Sequence, residues 1–223
     1  RGSKHARAVA ERVFEDVRET SANRAAAARH LAAFEGPEVA RRFLVAGARE
    51  ASELPMGLRQ TLAELLAGMD HGPTDKKLAA ELEQAEGEHA LFCLWGLAGV
   101  ESAALEDELL GRIDDDGRVA LAAIERLALG ADPKAVEALE ELLDREWEQP
   151  IVVAALEALS RLRAGDPEWS RRLVELASSA ETEVRNAALE LLGAAEAASH
   201  AELFAAALAH ADWSTRLAAL GVL

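Results

Sequence analysis

The chain has 223 residues, of which 50% are hydrophobic and 4% aromatic, and its formal net charge is −16. Its 50 alanines and 34 leucines stand against 3 isoleucines, 13 valines and no tyrosine, a composition that favours helices and argues strongly against a sheet protein. The acidic surface disfavours binding to nucleic acids and anionic membranes, and a single cysteine excludes an internal disulfide framework.

Helical periodicity begins near the start of the sequence and continues to its end. Residues 5–19 form the first predicted helix, whose apolar face holds Ala6, Val9, Ala10, Val13, Phe14 and Val17. Two kinds of helix then alternate, named A helices and B helices below. The predicted A helices span 21–34, 55–69, 88–99, 116–129, 150–164, 181–194 and 212–223. The predicted B helices span 37–50, 73–86, 102–112, 133–146, 167–179 and 199–210.

The A helices repeat with a period of about 32 residues. The reference column of this repeat is Ala28, Leu62, Leu94, Ile124, Leu156, Leu189 and Leu220. Three residues later stands a column of leucines, Leu31, Leu65, Leu97, Leu127, Leu159, Leu192 and Leu223. One residue earlier stands a column of small residues, Ala27, Thr61, Cys93, Ala123, Ala155, Ala188 and Ala219. Small residues let neighbouring helices approach, and a helix pair cannot bury its apolar face alone. The sequence therefore predicts an all-α, right-handed α-solenoid of about seven stacked antiparallel helix pairs.

The prolines support this alignment independently. All six fall at the joints between predicted helices, at Pro37, Pro55, Pro73, Pro133, Pro150 and Pro167. A proline inside a helix would cost about 3 kcal/mol, so this placement marks helix starts. Asp132 and Asp166, each followed by a proline, are predicted N-caps, and Ser21, Asp116 and Thr182 are further candidates.

Three segments carry a recognisable repeat pattern: residues 183–193, residues 213–221, and residues 127–143 with the joint Gly130-Ala131-Asp132-Pro133. These segments resemble the short HEAT-like repeats of the phycobilisome-lyase type. The resemblance covers the whole chain and is clearest from 116 to 223 and weakest from 55 to 112. Longer HEAT or armadillo units of about 40–47 residues fit the spacing less well. The resemblance implies a fold more than a function, because lyases, scaffolds and regulatory proteins all carry this repeat.

Patterns that carry chemistry are scarce in the sequence. None of the six histidines precedes a glutamate, so the His-Glu pairs of deoxyhypusine hydroxylase, a HEAT-like di-iron enzyme, are missing. We interpret Glu88-His89 as a surface capping turn, and Cys93 as a buried apolar side chain rather than a bilin-attaching thiol. We interpret the run from Asp114 to Gly117 as the start of a helix rather than a calcium loop. We therefore expect no enzyme activity, cofactor or metal.

Charges on the B helices are the candidate partner contacts, because B helices line the concave face of HEAT-like solenoids. Three B helices carry basic pairs, Arg41 and Arg42, Lys76 and Lys77, and Arg171 and Arg172. The two B helices between them carry acidic residues, Glu106, Asp107 and Glu108 in one and Glu137, Glu140, Glu141 and Asp144 in the next. The hypothesis is an acidic centre between basic flanks, and the alternative is an ordinary solvated helix face.

The four tryptophans are the other candidates. Trp95 lies inside an A helix and is predicted to be in the core. Trp147, Trp169 and Trp213 fall at helix ends, where aromatic residues can anchor a partner or staple one repeat to the next. We favour the staple.

These features predict a non-enzymatic scaffold or regulatory module that presents a concave surface to another protein or to another domain of its own chain. We expect one repeat domain over 1–223 from a GC-rich, bacterial gene, with a cytoplasmic location. Residues 1–4 are interpreted as a cloning remnant, and the last repeat as truncated at 223. The unpaired face of helix 212–223, with Leu217, Leu220 and Leu223, is expected to allow self-association.

Two alternatives remain. The first is an accessory subunit of a bilin-lyase-type enzyme that binds a linear tetrapyrrole, which the family resemblance alone supports. The second is a nucleic-acid-binding solenoid similar to HEAT-like DNA glycosylases, which the net charge of −16 disfavours.

Overall fold

The computed structural model describes residues 4–34, 37–49, 54–69, 72–98, 100, 103–115, 117–130, 132–145 and 148–223. Within these residues the chain forms fourteen α-helices and no β-strand. The helices are α1 (Lys4–Glu15), α2 (Ser21–Ala32), α3 (Pro37–Arg49), α4 (Met56–Ala67), α5 (Gly72–Leu82), α6 (Gly87–Gly96), α7 (Ala103–Arg112), α8 (Gly117–Leu127), α9 (Pro133–Leu143), α10 (Gln149–Leu162), α11 (Pro167–Leu176), α12 (Thr182–Ser199), α13 (Ala201–Leu208) and α14 (Trp213–Val222).

Every helix that the sequence predicts is present in this all-α fold. The A helices are α2, α4, α6, α8, α10, α12 and α14, and the B helices are α3, α5, α7, α9, α11 and α13. Each of the six prolines lies at the first or second helical position or directly before the helix, as predicted.

Most helix boundaries differ from the prediction by one to three residues, and the larger differences are at the ends of α1, α5 and α12. Helix α1 ends at Glu15 instead of residue 19, because the Asp16 carboxylate accepts a hydrogen bond from the amide of Arg18 and forms a turn. Val17 therefore lies outside the helix and is 71% exposed, so its predicted place on the apolar face is wrong. Helix α12 is interrupted by a kink at Gly193, whose φ of 66° is not helical, one residue before the predicted end at 194, and a second helical segment extends to Ser199 where a loop was predicted.

The chain divides into two compact units, Arg1–Glu108 and Leu109–Leu223, with α7 spanning the boundary. In unit 1 the A helices pack in the order α2, α4, α6, with α1 on α2 and with α3 against both α2 and α4. In unit 2 the A helices pack in the order α8, α10, α12, α14, with α9 on α10, α11 on α12 and α13 between α12 and α14. Within each unit, this arrangement is compatible with a helical repeat.

Burial follows the predicted columns. The first six members of the reference column are at most 3% exposed, whereas Leu220 on α14 is 62% exposed. All seven members of the small-residue column are buried, including Cys93 at 0% exposure. Five of the seven leucines are buried as well, whereas Leu65 is half-buried and Leu223 is 68% exposed. The buried members of the columns mark the seam between A helices, because small side chains admit the neighbouring helix and the leucines fill the space beside them.

Aspartates begin several helices of unit 2. The carboxylates of Asp132, Asp166 and Asp212 each accept a hydrogen bond from the amide two residues later, at 2.9, 2.8 and 2.9 Å. These bonds satisfy amides that have no partner within the helix. In unit 1, α2 is capped by Thr20 instead of the expected Ser21. Asp116 and Trp147 lie outside the described residues.

Phenylalanines fill the core of unit 1. The rings of Phe14 and Phe43 meet edge to face at 5.5 Å. The ring of Phe92 lies so close to Gly47 of α3 that a Cβ at this glycine would overlap it. No helix among the described residues is both long and apolar enough to cross a bilayer.

Candidate protein-binding site

Helices α9 and α11 of unit 2 frame a surface cleft of about 430 Å³. Helix α9 buries Ala135, Leu139 and Leu142, so the acidic residues between them face outward. Helix α11 buries Trp169 and Leu173 and exposes its basic pair. The cleft is lined by Glu140, Leu143, Asp144, Arg163, Glu168, Trp169 and Arg172. Three residues predicted from the sequence, Glu140, Asp144 and Arg172, therefore meet at one site.

Arg163 organises the floor of this cleft. Its Nε and Nη2 atoms lie 2.8 and 2.6 Å from Asp166 Oδ2, and its Nη1 donates to Glu140. The guanidinium also lies 5.8 Å from the centroid of the Trp169 ring. The hydrogen bond to Asp166 and the charges of both carboxylates raise the pKa of Arg163. The backbone amide of Glu168, followed by Arg163, lowers the pKa of Asp166.

Trp169 is buried inside unit 2. Its side chain is 4% exposed, and its indole nitrogen donates to Ser160 Oγ of α10 at 2.9 Å. Trp213 is different, because it is 67% exposed at the start of α14. Trp95 is half-buried in α6.

Arginines offset much of the predicted acidic face of unit 2. Arg172 lies 3.3 Å from Asp144 and 3.2 Å from Glu175. Arg145 lies 3.0 Å from Asp114 and 3.6 Å from Glu141. The surface therefore alternates in sign over short distances. Glu137 and Arg171 are exposed on the same two helices.

The predicted residues of unit 1 lie on three helices. Arg42 of α3 pairs with Glu15 at 2.6 Å and lies 3.7 Å from Glu11, while Arg41 is exposed. Lys76 and Lys77 are exposed on α5, and Lys77 borders a cleft that also contains Glu81 and His89. On α7, Asp107 is exposed, and Glu106 and Glu108 are half-buried. The acidic centre with basic flanks draws on both units and stays a prediction.

The residues weighed for metal or thiol chemistry have structural partners. Cys93 is fully buried. Glu88 accepts a hydrogen bond from Arg59, and His89 Nε2 lies 3.2 Å from Glu81 Oε2. Asp115 pairs with Arg112 at 3.0 Å. Over the described ranges, no three His, Cys, Asp or Glu side chains come together as a metal-binding group.

Sequence reasoning missed a set of buried arginines. Arg24, Arg59 and Arg185 are 7%, 3% and 8% exposed. Arg185 donates from Nη1 to the carbonyl oxygen of Ser179 at 2.7 Å and from Nε to Thr215 Oγ1 at 3.1 Å. It thereby ties the turn before α12 to the next A helix, α14.

Arg59 and Arg216 also donate to a carbonyl oxygen that precedes their own A helix. Arg216 donates to the carbonyl of His210 at 2.7 Å, and Arg59 donates to that of Leu54 at 2.9 Å. Arg24 and Arg185 stand four residues before the reference column, as does the exposed Arg216, whereas Arg59 stands three residues before it, so the register is a partial signal for the buried arginines. A buried guanidinium needs such acceptors, because an unpaired buried charge is costly.

Comparison with known proteins does not assign the chain to a family. No family model matches the sequence, and no curated protein is significantly similar to it. The candidate site therefore depends on the geometry of unit 2 alone.

Proposed function

We propose that the chain is a non-enzymatic, HEAT-like right-handed α-solenoid that binds another protein, or another domain of its own chain, through charged B-helix faces. The period of about 32 residues and the packing of each A helix on the next within a unit support this architecture. In such an architecture the B helices of successive repeats present their outer faces side by side.

The cleft between α9 and α11 carries the functional proposal. It brings Glu140 and Asp144 from one repeat beside Arg172 from the next. Acidic and basic groups alternate across a span that a partner's side chains can match. Such complementarity sets orientation and specificity more than it sets affinity. A partner with the opposite pattern of charges would fit this face.

Reversing two charges on α9 tests the proposal without disturbing the floor of the cleft. Glu140 holds Arg163 and is left intact, whereas the side chains of Glu141 and Asp144 are 64% and 76% exposed. The wild-type chain is used to capture a protein from source lysate, and that protein is purified for titration. We expect Glu141→Lys with Asp144→Lys to weaken binding about tenfold, with the loss shrinking as salt rises.

A matched control carries the same change in net charge on A helices. Glu157 of α10 and Glu190 of α12 are exposed, and Glu157→Lys with Glu190→Lys should leave the affinity unchanged. Equal losses in the two double variants would indicate attraction by net charge alone and contradict the assigned face. No loss in the α9 variant would contradict it as well.

A further inference from the structure

Large apolar side chains are exposed mainly at one place in unit 2. Among the described residues nine such side chains are exposed, and five of them lie between Leu208 and Leu223. Four belong to α14 and its C-cap, namely Trp213, Leu217, Leu220 and Leu223, at 67%, 57%, 62% and 68% exposure. They share one side of the helix, named the α14 face below, because helical neighbours recur every three or four residues. A contiguous apolar face of this kind marks an interaction site.

Helix α12 shows what kind of surface covers these positions. In the repeat, Leu220 and Leu223 stand where α12 has Leu189 and Leu192, which are 0% and 5% exposed. Helix α12 has an A helix packed on either side, α10 and α14. The α14 face therefore includes columns that the earlier A helices bury, and the surface that fits it is another A helix.

The α14 face is more apolar than the same side of α12. On α12, Asn186 Nδ2 donates to Ser214 Oγ of α14 at 2.9 Å, so a polar contact joins these two helices. Trp213 and Leu217 stand on α14 where α12 has Thr182 and Asn186. Leu217 cannot make such a bond, and the indole ring adds a large apolar area. The helix that covers the α14 face must therefore be apolar at its contact, and the same face of a second copy meets this requirement.

The charges of α14 permit two such faces to approach. Its sequence contains no acidic residue, although the whole chain carries a net charge of −16. Its one charged residue, Arg216, donates from Nη1 to the carbonyl oxygens of His210 and Ala211 at 2.7 and 2.8 Å. These bonds hold the guanidinium toward the residues before the helix. Two α14 faces can therefore meet without burying a carboxylate in an apolar contact.

The exposed area indicates how strong this contact is. The four side chains expose on the order of 500 Å² on one chain, so two faces would bury about 1,000 Å² together. This area is the lower limit for a specific interface and corresponds to a weak, reversible association. A self-complementary face closes a pair around a two-fold axis. We infer that two copies of the chain form a two-fold dimer in which the α14 face of one copy packs on the α14 face of the other.

Sedimentation velocity of the full chain over a concentration series, at low and at high salt, measures the dimer. We expect a monomer–dimer equilibrium whose dissociation constant falls as salt rises, because salt screens the repulsion between two chains of charge −16. The charged contact proposed for α9 and α11 has the opposite salt dependence. The dimer and that partner are independent, so the failure of one leaves the other intact.

Two variants of equal charge change locate the contact. Leu220→Glu should raise the dissociation constant of the dimer at least about tenfold, since it places a carboxylate from each copy in an apolar contact. Leu129→Glu, at a residue 63% exposed beyond α8, should leave the constant unchanged. Circular dichroism on both variants confirms that the fold is retained.

A cysteine on α14 tests whether the two α14 helices meet. Gly221 is exposed, and a Cβ there would meet nothing within 4 Å, so Gly221→Cys fits the fold. Gly111→Cys on α7 has the same open surroundings and is the matched control, while Cys93 is fully buried. A short bis-maleimide should join two chains of the Gly221→Cys variant and leave the Gly111→Cys variant monomeric.

Three results would overturn the assignment. A chain that stays monomeric at every concentration would mean that the α14 face fits a different occupant, such as a helix of another protein. Oligomers that grow beyond the dimer would mean that this face packs on a different surface of the next copy. Equal cross-linking of the two cysteine variants would mean that the two α14 helices do not meet specifically.

Discussion

The two units use the same repeat but stabilise it differently. Unit 2 begins three of its helices with aspartate caps and fills its seams with the regular Ala and Leu columns. Unit 1 fills its core with three phenylalanines, Phe14, Phe43 and Phe92, and needs Gly47 to admit one of them. The repeat resemblance is clearest in unit 2 for this reason: local capping and regular columns leave a sequence pattern, whereas a fitted aromatic core does not.

We expect the largest loss of stability from a substitution in the aromatic core of unit 1. Gly47→Ala places a Cβ inside the contact distance of the Phe92 ring, and we expect a loss of about 3 kcal/mol in the free energy of unfolding. Denaturant titration of the variant measures it. The matched control is Gly57→Ala in α4, where a Cβ meets nothing within 4 Å. There we expect a gain of about 0.5 kcal/mol, because alanine is the better helix former.

A similar small change in both glycine variants would show that Phe92 moves aside without cost. The close contact of Phe92 with Gly47 would then not distinguish the core of unit 1 from that of unit 2. A large loss in the free energy of unfolding for Gly47→Ala alone would support this distinction.

We expect an intermediate loss of stability from removal of an aspartate N-cap in unit 2. Asp132→Ala removes the acceptor for the amide of Lys134, 2.9 Å away, and we expect a loss of about 1 kcal/mol of stability. Asp132→Asn keeps an acceptor oxygen and should retain most of the stability. Thermal unfolding of the two variants side by side measures the difference. If asparagine and alanine destabilise the chain equally, the cap bond is not the cause.

The smallest effect on stability is expected on α14. Leu217 and Leu220 are 57% and 62% exposed, so Leu217→Ser with Leu220→Ser should change the free energy of unfolding by no more than about 0.5 kcal/mol per site. The same variant should abolish the self-association expected from this face, as followed by sedimentation velocity over increasing concentration. Leu129→Ser, at a residue 63% exposed beyond α8, is the control that should leave self-association intact.

Wild-type chain that stays monomeric at high concentration would contradict the expected self-association. A large loss of stability in the double variant would show that the face is buried in solution. The second result would remove the difference in burial between α14 and the six earlier A helices.

The sequence was sufficient to identify all fourteen helices. Its prolines and Asp132 and Asp166 locate helix starts because capping is a local effect, confined to neighbouring amides. It was also sufficient for the A-helix seam from α2 to α12, because a period of about 32 residues places reference residues of similar kind at similar burial. The apolar pattern did not predict the end of α1 correctly. It continues to Val17, but the turn formed by Asp16 ends the helix four residues before the predicted end.

The candidate sites were less accessible to sequence reasoning. Glu140, Asp144 and Arg172 were recognised as charged B-helix residues, but their meeting in one cleft with Arg163 depends on how α9 packs on α10 and α11 packs on α12. On α14 the sequence identified the apolar face, but the 67% exposure of Trp213 on it depends on which side of α14 packs on α12 and α13.

Composition, periodicity and capping thus determined the helices, their order and the residues of the seam between them, since these depend on near neighbours along the chain. Tertiary structure alone decided which arginines are buried, which charges neutralise each other and where cavities open. Those properties depend on distances between side chains from different helices. Arg185 illustrates both, because its register position is visible in the sequence, while its bond to Thr215, thirty residues away, exists only once α12 and α14 are packed.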